Sequence, residues 1–133
     1  MSPDATPREK CGLALRVYRA FLRVAPRVHR RPLPDLVAML GVAPKSLAAP
    51  APVARISRAV DRCLVFAPIR PRCITLSLVM YRLLVEQGAR PELVIGLEPD
   101  ASNHRAHAWV ELDGRDVGPP PGRSGHEPMG RFA

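Results

Sequence analysis

Aromatic side chains are scarce, with one Trp, two Tyr and three Phe among 133 residues. A chain that grips single-stranded nucleic acid needs stacking platforms, so this shortage argues against that class despite a net charge of +8. The same shortage means that any core is built from Leu, Val, Ala and Ile. Cysteine is sparse too. Cys11, Cys63 and Cys73 are too few and too dispersed for a disulfide framework, and neither a C-x-x-C pair nor another set of metal-ligand spacings occurs. Acidic residues number 12 against 20 basic ones, an imbalance that favours an acidic partner. No signal-like apolar core follows Met1, and no run reaches the roughly 18 apolar residues of a membrane span. The expectation is a soluble, cytoplasmic chain without a transmembrane segment.

What the sequence does contain is proline, 16 residues of it, which cuts the chain into short elements. Residues 1–7 read as a disordered start. From Arg8 to Ala25, Leu13, Val17, Ala20, Phe21 and Val24 recur at spacings of three and four, predicting a helix with arginines on another side. A short helix is predicted over Asp35–Leu40, ended by Gly41, and a third over Val53–Phe66. The strongest is Ile74–Gln87, apolar over much of its circumference, closed by Gly88 and blocked by Pro91. Glu92–Leu97 and Arg105–Leu112 read as strands. Asp113-Gly114 is a hairpin signal, so Arg115–Val117 returns as a third. The expected domain spans 8–118, helical over 8–88 and sheet over 91–118, and a Pro/Gly-rich tail, 119–133, follows.

Two residues in this layout carry chemistry. Cys73 opens the apolar helix, where first-turn N–H groups have no intrahelical acceptor and favour an anion. The same donors suit the oxyanion formed when a thiolate attacks a carbonyl, and Arg70 and Arg72 add positive charge. His107 lies on the second strand and shares a face with Trp109 and Glu111. It can serve as base toward the thiol and then as acid toward a leaving amine. Trp109 reads as core or pocket wall, Glu111 as a surface or substrate-binding residue, and His104 as an exposed loop residue.

Residues 59–117 resemble the transglutaminase-like cysteine peptidases of lasso-peptide biosynthesis, in the split, stand-alone form called B2. The resemblance rests on R-A-V-D-R-C-L at 58–64, C-I-T-L-S-L-V-M-Y-R-L-L-V-E-Q-G at 73–88, P-E-L-V-I-G-L at 91–97 and A-H-A-W-V-E-L-D-G at 106–114. Thr75 and Leu76 depart from the arginine-serine pair usual in that family. The resemblance implies an α+β fold with a papain-like cysteine peptidase core, its N-terminal helices packed on a short antiparallel sheet. It implies Cys73 as nucleophile, His107 as base, and removal of the leader from a ribosomally made precursor peptide. Implied partners are that leader, a leader-recognition protein called B1, and the ATP-dependent lasso cyclase. No metal or organic cofactor is implied.

The family's aspartate, about a dozen residues after the histidine, would fall at Pro119. Asp116 is the nearest downstream acid. The hairpin pairs it with Glu111, which leaves it four positions, roughly 13 Å, from His107 along the sheet. Glu127, Asn103 or a backbone carbonyl are the other groups that could orient the ring. Substrate contacts are expected from Arg72, Trp109 and Glu111. The rival readings are an impaired scaffold of the same fold and an acyl-transferring enzyme in which an amine replaces water.

Overall fold

The computed structural model describes residues 6–65, 72–97, 106–120, 122–123 and 125–133. Arg70 and the loop that carries Asn103 and His104 lie outside the described residues. The architecture is α+β, as expected. Four helices, α1 (Pro7–Val24), α2 (Leu33–Leu40), α3 (Val53–Leu64) and α4 (Cys73–Glu86), precede four strands, β1 (Glu92–Leu97), β2 (Ala106–Leu112), β3 (Arg115–Gly118) and β4 (Glu127–Phe132). The strands form one antiparallel sheet in the order β3-β2-β1-β4.

α4 is the hub. Every residue from Thr75 to Val85 is buried, including Ser77, Tyr81 and Arg82. The other three helices and the sheet pack around it, each burying one apolar stripe. α1 supplies Leu13, Val17, Ala20 and Val24, α2 supplies Leu36, Val37 and Leu40, and α3 supplies Ile56, Val60 and Leu64. Arg82 is the one charged residue in this buried stretch of α4. Its guanidinium donates to the carbonyls of Leu40 (3.1 Å) and Val42 (2.7 Å), which are left over where α2 ends. At the start of α1, Thr6 and Glu9 form a reciprocal capping box and Pro7 occupies the first turn. Pro7, assigned to the disordered start, therefore belongs to the helix, and Thr6 caps it.

The hairpin forms as its turn chemistry dictates. Asp113 and Gly114 both take positive φ, 53° and 78°, the combination a type I′ turn requires. Leu112 pairs with Arg115 and Glu111 with Asp116. A bulge between Val110 and Glu111 then sets Gly118 opposite Val110. Cross-strand pairs divide the sheet into two faces. Leu93 pairs with Val110, and both enter the helical core; Val94 pairs with Trp109, and both are buried on the opposite face.

The tail is where the fold departs from expectation. Residues 127–132 form β4, which pairs with β1 from Leu93↔Phe132 to Leu97↔Glu127, with an irregularity at Ile95/Gly96. Pro128 and Gly130 hide this strand from pattern reading, and proline is tolerated there because β4 is an edge. Gly96 makes the junction possible. A Cβ at this position would lie 2.5 Å from the Glu127 carbonyl oxygen and 2.7 Å from the Trp109 ring. Gly96→Ala is therefore expected to push β4 off the sheet and to cost about 1–3 kcal/mol in urea unfolding, the usual range for overpacking. Unchanged stability would show that β4 does not pack as described.

Candidate active site

Cys73 occupies the first position of α4 and is half-buried. The preceding residue, Arg72, is extended (φ −66°, ψ 155°) and exposed, and no side chain caps the helix. Among the described residues no side chain takes the first-turn N–H groups beside the thiol, and such groups suit an incoming acceptor. One turn further on, the Ser77 hydroxyl donates to the Ala108 carbonyl at 3.0 Å, in a fully buried bond. This bond fixes the start of α4 at the level of β2 where His107 is carried. Four residues of helix, about 6 Å of rise, separate Ser77 from Cys73. Among the described residues no hydrogen bond joins the thiol to the imidazole, so the structure aligns the two segments without closing the pair.

His107 faces the side of the sheet that holds Trp109, and the two rings lie 6.1 Å apart at 29°. Its Nε2 is 2.5 Å from the Gly122 carbonyl oxygen. A carbonyl can only accept, so Nε2 is the donor, and in the neutral ring this tautomer places the lone pair on Nδ1. The group that orients the His107 ring is thus a main-chain carbonyl, one of the alternatives open in the sequence.

Asp116 does not reach His107. One carboxylate oxygen accepts from the Gly118 N–H (2.9 Å) and the other from the Arg123 N–H (2.7 Å). The register explains this, because Asp116 sits opposite Glu111, far along β2 from the imidazole. Its carboxylate instead pins the returning loop that presents the Gly122 carbonyl. Gly122 takes φ 68°, and a Cβ there would collide with the Asp116 carboxylate, so the position demands glycine on both counts. Asp116, the nearest downstream acid, thus positions the loop that presents the carbonyl and does not itself hold the His107 ring.

Trp109 is fully buried, over Gly96, as its core reading expects, and presents no surface for the alternative role of substrate contact. Glu111 is buried rather than at the surface. Its oxygens accept from Trp109 Nε1 (2.9 Å) and Arg131 Nη1 (2.6 Å), and Arg131 also lies 3.5 Å from Glu92. The pair is a brace that ties β2 to β4 across β1. Arg72 remains exposed beside the thiol. Sequence reading gave His126 no role, yet its ring lies 4.6 Å from that of His107. Its Nδ1–H donates to the Arg123 carbonyl (2.7 Å), which joins it to the same loop. No local pattern announces that contact, because it depends on the loop turning back. Among the described residues no group of three or more metal-ligating side chains gathers, and no helix is long and apolar enough to cross a membrane.

Burial alone would push the Glu111 carboxyl upward, but the Arg131 and Trp109 hydrogen bonds outweigh it and hold the group below its usual range. A carboxyl depressed on folding contributes stability above its unfolded value, near 4.3, and loses it as pH falls through the lower folded value. Glu111→Gln is therefore expected to lower stability at neutral pH and to flatten the acid limb of a stability–pH profile from urea melts. An acid limb as steep as that of the wild type would assign the acid sensitivity elsewhere.

A family model described as the transglutaminase-like superfamily matches residues 11–130. No curated protein and no solved structure matches the chain. The match runs from the first turns of α1 into β4, and so takes in both the thiol-bearing helix and the strand that carries the imidazole. The chain belongs to the transglutaminase-like superfamily.

Proposed function

We propose that this chain is a cysteine peptidase that removes the leader from a lasso precursor peptide, with Cys73 as nucleophile and His107 as base. The observation that carries the reading is the bond between His107 Nε2 and the Gly122 carbonyl. It orients the ring and leaves Nδ1 as the basic nitrogen, the tautomer that proton abstraction from a thiol requires. The uncapped start of α4 offers the complementary half, donors for the oxyanion of the tetrahedral intermediate.

The chemistry runs in two stages. His107 Nδ1 takes the thiol proton as Cys73 Sγ attacks the carbonyl joining leader to core. The imidazolium then returns that proton to the leaving amine, which frees the N-terminus of the core. Water, deprotonated by the same nitrogen, hydrolyses the thioester and releases the leader carboxylate. Thiol and imidazole must close on each other when substrate arrives, and catalytic hydrogen bonds commonly tighten at that stage. A separate leader-recognition protein is the partner that would deliver the peptide, and the exposed guanidinium of Arg72 suits an acidic leader. The ATP-dependent cyclase would consume the freed amine.

The test mixes the protein with a lasso precursor and a leader-recognition protein and follows leader release by mass. Cys73→Ala is expected to abolish release, and His107→Ala to slow it by about 10²–10⁴-fold. Asp116→Ala acts only through the loop, so a milder loss of up to about 100-fold is expected. Release that persists in Cys73→Ala sinks the mechanism. Accumulation of an amide with an added amine, in place of the free leader acid, would make the enzyme an acyltransferase instead.

A further inference from the structure

α1 carries two apolar faces, and the core uses only one. Leu13, Val17, Ala20 and Val24 point inward. Cys11, Leu15, Tyr18 and Leu22 recur at spacings of four, three and four, the seam spacing of a two-helix interface. At about 100° per residue this second stripe lies opposite the first. It faces solvent, with Leu15 60%, Tyr18 42% and Leu22 70% exposed and Cys11 exposed beside them. The Tyr18 hydroxyl donates to the Cys63 carbonyl (3.1 Å), which ties the stripe to the end of α3, where Val65 is exposed as well. Nothing in the stability of α1 calls for leucine there, since a solvated helix surface is served as well by alanine, lysine or glutamate.

The flanking charges specify the occupant. Arg8 and Arg19 border the stripe, and Arg23 lies beyond them; all three are exposed. Among the described residues neither Arg8 nor Arg19 meets a carboxylate. The only acid of α1, Glu9, lies on another side and is held in the capping box. We propose that the outward face of α1 is a docking surface for an acidic amphipathic helix of a protein partner. Its leucines would seat against Leu15, Tyr18 and Leu22, and its carboxylates would meet Arg8 and Arg19. A second copy of this chain would set these arginines against arginines. A lipid surface would favour a broader apolar face with Trp or Phe, and this stripe is one side chain wide. From Cys11 to Leu22 it runs about 16 Å, three turns of helix.

This inference does not rest on peptidase activity, so the experiment uses the full chain carrying Cys73→Ala. The probe is a dilute fluorescein-labelled peptide of about three heptads with Leu at the seam and Glu beside it. Controls are the same peptide with Lys for Glu, and phosphatidylglycerol–phosphatidylcholine vesicles. The acidic peptide is expected to bind and the Lys peptide to fail, with affinity falling as salt rises. Leu15→Glu with Leu22→Glu should weaken binding at least about tenfold, the scale of losing two anchors, with helix content checked by circular dichroism. Arg8→Glu with Arg19→Glu should reverse the preference toward the Lys peptide. The proposal is overturned if the leucine variant, folded, binds equally well. It is also overturned if vesicles bind and the acidic peptide does not compete, or if sedimentation shows a dimer that the leucine variant abolishes.

Discussion

A helix buried on every side from Thr75 to Val85 can neither rotate nor slide without opening the core, and the other elements take their places from this constraint. α1, α2 and α3 each need only one apolar stripe because α4 receives all three. The cost is that polar groups on α4 cannot reach water. Arg82 meets it by taking the carbonyls left over at the end of α2, and Ser77 by taking the Ala108 carbonyl. The Arg82 pair ties α2 to α4, and the Ser77 bond ties α4 to the sheet. The second one sets the level at which the start of α4, and with it Cys73, meets β2.

The imidazole is held by a different logic. No acidic side chain touches His107 among the described residues, and a main-chain carbonyl takes that place. A carbonyl fixes the tautomer and the ring orientation, but as a neutral group it stabilises an imidazolium less than a carboxylate does. Its position depends on the loop, and the loop depends on Asp116 accepting two backbone N–H groups. Charge is thus one step removed from the imidazole. The acid acts on the conformation that presents the carbonyl, and glycine at position 122 is what lets carboxylate and backbone approach so closely.

The fold was readable wherever one residue type has one physical outcome. The apolar circumference of 74–87 announced a central helix, Asp113-Gly114 announced the hairpin, and the register of Glu111 with Asp116 followed from that turn. The same register argument kept Asp116 away from His107, although it could not say where the carboxylate went. The interactions that escaped are those with no local signature. β4 is interrupted by Pro128 and Gly130 and exists because Gly96 leaves room for it. The Gly122 carbonyl has no side chain to advertise it, and the approach of His126 to His107 arises only after the loop turns back. Glu111 looked like a surface acid because Glu111 and Arg131 are 20 residues apart, and only β1 lying between β2 and β4 makes them partners.

The two faces of the sheet therefore answer to different forces. On the α4 side, β1 and β2 are held by Leu93, Val110 and the helices, contacts that neither salt nor acid weakens directly. On the far side, Trp109 is sealed by a carboxylate whose partner, Arg131, belongs to an edge strand and is half exposed. The thiol stands at the end of the apolar half, and the imidazole stands on the half held by charge. Falling pH removes the charge of Glu111 while leaving the packing around α4 intact, so β4 and the Trp109 face should loosen before the helical core does. Such a division keeps the Cys73 thiol fixed and leaves the His107 ring responsive to whatever settles on the far face of the sheet. The half that carries the imidazole is thus also the half held least tightly, since its seal depends on one ion pair to an edge strand.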